Sequence, residues 1–417
     1  MRLFFFVLVV HFFVASACAA PPAPETRALS EGERVEDFDA LWNAIDRDYA
    51  YFGTQRAEWR RARDKWRPRA QKARTRAELV AALEGAITLL RDDHVVLSES
   101  SPGSPRRVPA ETDLWGYWRD DVAVIEAVRT YGESDMAGLR PGHVIRAVGE
   151  LPVQRGVHDR LDGASAASPA ARDWALQHLL AGPRAGSVRI EVAEARGPKA
   201  YEVARGAPST LVNPPLVARR VGERRDLGYL RIKAPLQDPA LATHFDGAMG
   251  YLVDTRGLIL DLREVTGPFP DLAKSRANLL AILSRFVARP APWQAREPRS
   301  GERVAEFATP HAAPYTRPVV VLVDRWTAGE GEALAVGLQA AAGARIVGTR
   351  MAGLHGEQRE VMLTHSRIAL RFPAQRTFRP DGTPREAVIP DVLVDLSAPK
   401  GGPGDPILYQ ALKLLEK

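Results

Sequence analysis

Cysteine is almost absent from this chain: 417 residues contain one, Cys18. It sits in the N-terminal segment, so the body of the protein has no pair from which to form an internal disulfide. The nine histidines form no His-Glu-x-x-His pair and no Cys/His cluster, so metal-dependent hydrolysis is not indicated. No Gly-Lys-Ser/Thr phosphate loop is present, which argues against nucleotide-driven chemistry. No fixed-period repeat is found, which argues against a solenoid. Beyond residue 20 no apolar run is long enough to cross a bilayer. A compact basic motif is also missing. The formal charge is +6, but the arginines are scattered along the whole chain, so no nucleic-acid partner is expected.

What is present begins with an export signal. Arg2 supplies a positive start, residues 3–14 are apolar, and small residues 15–20 precede Pro21 and Pro22. Residues 1–20 are expected to be a signal peptide, which places the chain in the periplasm or outside the cell. Two endings stay open. Ala15-Ser16-Ala17-Cys18 is a loose lipoprotein box that would tether the chain to a membrane through a lipidated Cys18, and plain cleavage between residues 17 and 20 is the alternative.

Phe38, Leu41, Trp42, Ile45 and Tyr49 recur at the spacing of one buried helical face. The Arg-rich stretch 55–76, with Trp59 and Trp66, has the pattern of a solvated amphipathic helix. Thr75 and Glu78 form a capping-box signature ahead of Leu79, Leu83, Ala86 and Leu90. Asp92-Asp93-His94 closes that helix, and a short strand follows at 95–97. Residues 28–100 are therefore expected to be a helical region contributing to a core, and the Ser/Pro/Gly/Arg-rich 98–107 a linker. In 108–207, strands at 122–128 and 143–148 flank a short helix at 135–139, indicating a small β-domain. In 215–417, strands at 228–232, 257–262, 318–324 and 344–348 alternate with helices at 272–286 and 330–342, the pattern of an α/β layer with a largely parallel sheet. The expected fold class is multidomain, α+β and α/β.

Three segments carry a resemblance: DMAGLRPGHVIRAVGELPV from residue 135, LILDLREVTGP at 258–268, and VVVLVDRWTAGEGEALAVGLQAAAGARIVGTRMAGLHG at 319–356. Together they resemble the C-terminal processing (tail-specific) serine peptidase family over residues 35–395. The resemblance implies a PDZ-like domain in 108–207 that takes peptide C-termini by strand addition, with Trp115-Gly116-Tyr117 as the carboxylate loop. It implies a ClpP/crotonase-like α/β peptidase core in 215–417. Asp261, Arg263 and Gly267 match the loop whose glycine amides help form the oxyanion hole. Val265 and Pro268 depart from that pattern, and a proline has no amide to donate. Thr327, Glu332, Gly348 and Gly353 also match. The nucleophilic serine of the family would stand at 329, where this chain has Gly329. Leu354 occupies the place of the lysine base of one branch. The tricorn-like branch implies His94 as base and Glu386 as its orienting acid.

Read from the residues alone, His94 is also a plausible structural histidine, and Glu386 a cap or a surface partner of Arg385. Three functions stay open. The first is a pseudoenzyme that binds unfolded proteins or peptide C-termini. The second is a peptidase with a relocated nucleophile, either Thr327 or a water activated by His94 and Glu386. The third is a non-catalytic envelope protein. No cofactor is expected.

Overall fold

A computed structural model describes residues 27–53, 55–161, 168–206, 214–266, 271–398 and 404–416. The expected signal peptide, Cys18, Gly267 and Pro268 lie outside them. No described helix is long and apolar enough to cross a membrane.

Three helices open the described chain, at Glu31–Asp48, Arg56–Lys72 and Arg76–Ile87. Phe38, Leu41 and Ile45 face inward on the first and Trp59, Ala62 and Ala70 on the second. Arg63 and Arg67 of the second helix reach across to Asp39 at 3.1 and 2.9 Å, which divides the Arg-rich stretch into a buried aromatic face and a paired polar one. The capping box is complete at Ser30 and Glu33. At Thr75 it is half formed: the hydroxyl accepts the Glu78 amide at 3.1 Å, but the Glu78 carboxylate takes the amide of Arg74, not that of Thr75. The helices share one core with Leu363, Ile368, Leu370 and Phe372, because the Val96–Leu97 strand pairs with Ala369–Phe378 in a five-stranded antiparallel sheet. Residues 98–107 are packed rather than a loose linker. Ser104 and Arg106 are buried, and the Ser104 hydroxyl donates to Glu84 at 2.6 Å.

The second sheet runs Val392–Leu393, Arg345–Gly348, Val319–Val323, Gly257–Asp261, Leu227–Ile232, Leu216–Val221. All its pairings are parallel except the last. Gly257–Asp261 and Val319–Val323 are buried along their whole length, as expected of strands covered on both faces. The helices Leu241–Leu252, Leu272–Ser284 and Glu330–Ala342 supply one covering layer and Pro406–Leu415 another.

The third sheet, Leu114–Arg119, Val122–Val128, Val144–Val148, Gly186–Glu194 and Gly197–Arg205, is antiparallel and carries the helix Pro169–Ala181 on one face. Trp115-Gly116-Tyr117 are not a loop, as the resemblance implied, but lie inside the edge strand Leu114–Arg119. A Cβ at Gly116 would stand 2.7 Å from Leu180 Cδ1, so glycine is what lets the helix sit this close to the strand. This domain docks onto the turn after Val323. Trp326 packs with Val108, Trp115, Ala127 and Ala181, its Nε1 donates to the Thr112 carbonyl at 2.8 Å, and Arg325 pairs with Glu126 at 2.7 Å.

Candidate active site

Two neighbouring parallel strands end in interlocked turns. Past Val319–Val323, the Thr327 hydroxyl donates to Leu262 O at 3.0 Å and accepts the Asp324 amide at 3.0 Å. The Ala328 amide donates to Val265 O at 3.0 Å. A Cβ on Gly331 would meet that same carbonyl at 2.6 Å, so the two turns approach too closely for any side chain there. Gly329 stands between them as N-cap of the Glu330–Ala342 helix, with φ 56° and ψ −113°. L side chains rarely adopt this conformation and glycine does so freely.

Within 4 Å, a Cβ on Gly329 would meet one neighbour, His94 Nε2 at 3.6 Å. His94 is buried. Its Nδ1 is bonded to the carbonyl oxygen of His355. A carbonyl only accepts, so Nδ1 carries the proton and Nε2 presents its lone pair toward Gly329. Burial pulls the ring down to about 4, so it is neutral at pH 7. The His94 amide donates to Asp92 Oδ1 at 2.9 Å and its carbonyl accepts from Gln358 at 2.7 Å. His94 is therefore fixed on three sides.

Asp92 and His355 form a second layer that the sequence did not single out. Asp92 Oδ2 receives the Tyr49 hydroxyl at 2.7 Å and lies 3.0 Å from His355 Nδ1. Tyr51 stacks on the His355 ring at 4.2 Å. Burial pulls His355 down, but the Asp92 carboxylate outweighs it and the ring rises to about 8. Glu332, the third residue of the helix, accepts three amides: Gly329 at 2.9 Å, Gly353 at 2.7 Å and Leu354 at 3.1 Å. Burial pushes its carboxyl up to about 7 against those donors.

Two spaces border this turn. A cleft of about 830 Å³ lies between the β-domain, through Trp115, Tyr117 and Trp174, and the core, through Leu354, His355 and Glu386. A cavity of about 50 Å³ is lined by His94, Gly329, Glu330, Gln294 and Arg385 among others.

Of the residues named from sequence, the structure brings His94 and Gly329 together. Glu386 lines the neighbouring cleft and does not orient His94, whose Nδ1 is held by His355 O instead. Thr327 is fully buried, its hydroxyl engaged by Leu262 and within 3.2 Å of the Asp324 carboxylate, so it is not a relocated nucleophile. Arg263 is held by Asp261 at 2.6 Å and by Asp405 at 2.7 Å, which ties the strand end to the last helix and keeps it out of an oxyanion role. Trp115, Gly116 and Tyr117 line the cleft, but the Gly116 amide and carbonyl are both engaged by the Gln177 side chain. Asp92 had a visible signal, two acidic residues directly before His94. His355 had only its place beside Leu354.

A profile of peptidase family S41 matches residues 226–394, and one of the tricorn protease C1 domain matches residues 30–86. No curated protein matches the chain by sequence. Among solved structures, mature CPAF is similar at TM-score 0.60 and 16% identity, over 93% of this chain and 96% of that one. The photosystem II D1 C-terminal processing protease is similar at TM-score 0.53 and 20% identity, over 92% and 97%. At these identities the likeness concerns the fold; the profile matches put a peptidase S41 domain at residues 226–394, in the parallel-sheet core, and a tricorn C1 domain at residues 30–86, in the helical start.

Proposed function

We propose that this protein is an exported, peptide-binding member of its family that has lost covalent serine catalysis. The observation that carries this reading is Gly329: where a side chain would meet a neutral, correctly tautomerised His94 at 3.6 Å, there is none. A histidine base without a nucleophile hydroxyl cannot form an acyl-enzyme. Thr327 does not substitute, because its hydroxyl is engaged inside the turn. The Gly329 amide, which would face an oxyanion, donates to Glu332. The roomy cleft between the PDZ-like domain and the core supports retention of peptide binding. Export and any tether at Cys18 rest on the N-terminal sequence, and mass spectrometry of the mature N-terminus decides between the two endings.

The test compares hydrolysis of unstructured proteins by the wild type, Gly329→Ser and Gly329→Ser/His94→Gln. The wild type is expected to be silent, the single variant to gain activity, and the double variant to lose it. Wild-type cleavage that disappears with His94→Gln would refute the reading.

A further inference from the structure

We infer that the cavity beside Gly329 binds a small hydroxyl compound, water or a short primary alcohol, which His94 activates against acyl esters with good leaving groups. This rests on the reading of 329 as the nucleophile position.

Three observations converge on the cavity. The first is size: about 50 Å³ admits on the order of three to five non-hydrogen atoms, since one water needs roughly 10–15 Å³ of such space. That is the scale of a short alcohol. The second is the lining. Arg385 and Gln294 are 5% and 4% exposed, and Arg385 Nε and Gln294 Oε1 have no hydrogen-bond partner among the described residues. Buried polar atoms are ordinarily satisfied by protein or by a small polar ligand. The third is His94, whose Nε2 is an acceptor near Gly329.

Together these three atoms offer one donor and two acceptors. A hydroxyl both donates and accepts, and so fits. A carboxylate has only acceptors and would face Glu330 and Gln294 Oε1, while an ammonium has only donors and would leave Arg385 Nε without an acceptor.

The chemistry balances without a co-reactant. The hydroxyl oxygen bonds to the acyl carbon while its proton passes to His94 Nε2, and the carbonyl electron pair moves onto oxygen. On collapse, the bond to the leaving alcohol or phenol breaks, and the proton goes from Nε2 to the departing oxygen. Water yields the free acid, an added alcohol yields its alkyl ester, and His94 ends neutral. Nitrophenyl esters are favoured over amides because a nitrophenolate departs without prior protonation, whereas an amine must first be protonated on nitrogen.

The experiment incubates the mature protein with a nitrophenyl ester and methanol, ethanol or tert-butanol, and reads the alkyl ester by mass spectrometry. Methyl and ethyl esters are expected, the branched tert-butyl ester is not, and His94→Gln should lower the yield at least about a hundredfold, the lower range of general-base effects. An ester yield unchanged by His94→Gln overturns the inference. So does an ethanol titration that leaves the His94 ring resonances unmoved in the wild type, a readout that needs no variant to fold. Gly329→Ser, assayed on protein substrates in parallel, reports on the nucleophile-position reading separately: if it gains peptidase activity while no alkyl ester forms, the inference fails and the proposed function stands.

Discussion

His355 holds His94 in place through its backbone while its own ring is held by Asp92. The carbonyl oxygen takes the Nδ1 proton of His94, and the ring Nδ1 lies 3.0 Å from Asp92 Oδ2. Asp92 also receives the His94 amide. The orientation of His94 thus depends on a buried carboxylate that never touches its ring. In this chain the orienting contact comes from a loop carbonyl rather than from Glu386.

Asp92→Asn tests that dependence. An asparagine keeps one acceptor oxygen and turns an NH₂ toward groups that donate, so a stability loss of about 1–3 kcal/mol is expected. The more specific readout is the His355 ring. In the wild type it titrates near 8; without the carboxylate, burial alone should bring it below its ordinary 6.5. A group raised in the folded state contributes stability below its unfolded pKa and loses it as pH rises, here from about 6.5 through about 8. The variant should lack that loss. NMR titration of the imidazole resonances checks it, and an unmoved His355 would mean the ion pair does not form in solution.

Glu332 and His94 make opposite contributions to the pH dependence. Glu332 is raised to about 7 from 4.5, so the native state holds its proton where the unfolded chain has released it, and stability falls as pH rises between those values. His94 is lowered to about 4 from 6.5, so its contribution is present above 6.5 and lost as pH falls toward 4. Glu332→Gln should remove the first slope and leave the second. Chemical denaturation at pH 5 and pH 7.5 should show the variant gaining relative stability at the higher pH by at most about 3 kcal/mol, the equivalent of the full shift. Parallel curves for the two proteins would refute the assignment.

Much of the architecture was legible because its signals are local. Strand 122–128 and helix 330–342 have the bounds expected of them, since binary pattern and end residues mark them. The Arg-rich helix was legible as amphipathic, and it buries Trp59 while Trp66 stays half-buried. What failed was geometry between distant segments. Thr327 looked available from its position two residues before Gly329, and only the turn against Leu262 shows its hydroxyl is engaged. Arg263 looked like part of an oxyanion loop, but Asp405, far along the chain, holds it. The resemblance implied a carboxylate loop at Trp115-Gly116-Tyr117, whereas the glycine sits in a strand and admits Leu180. His355 carried no motif at all, because its role runs through a backbone carbonyl.

Docking of the β-domain hangs on the residues just before Gly329. Arg325 pairs with Glu126 at 2.7 Å, donates to Met351 O at 3.1 Å and lies 5.0 Å over the Trp115 ring. A partly buried pair with this many contacts should couple more strongly than an exposed one, by roughly 1–3 kcal/mol in a double-mutant cycle. Arg325→Ala is also expected to speed amide exchange in Leu114–Arg119, whose Trp115 it covers. A coupling below about 0.5 kcal/mol with unchanged exchange would mean that the Trp326 cluster alone holds the domain.

The strand edge offered to a peptide is already occupied from within. Gln177 donates to the Gly116 carbonyl at 2.5 Å and accepts its amide at 3.3 Å, filling the two groups that an added strand would use. If peptides add at Leu114–Arg119, they must displace this amide. Gln177→Leu keeps most of the buried volume and removes the competitor, leaving both Gly116 groups unpaired until a peptide arrives. The variant should melt earlier, yet bind a peptide with a free C-terminus about three- to tenfold more tightly, on the basis of about 0.5–1.5 kcal/mol per hydrogen bond. Isothermal titration with free and amidated forms of one peptide measures this. Tighter binding of the free form places the ligand on this strand. An affinity unchanged in the destabilised variant would move the peptide site off the edge and into the cleft beside His355 and Glu386, where the carboxylate would have the His355 imidazolium as its counter-charge.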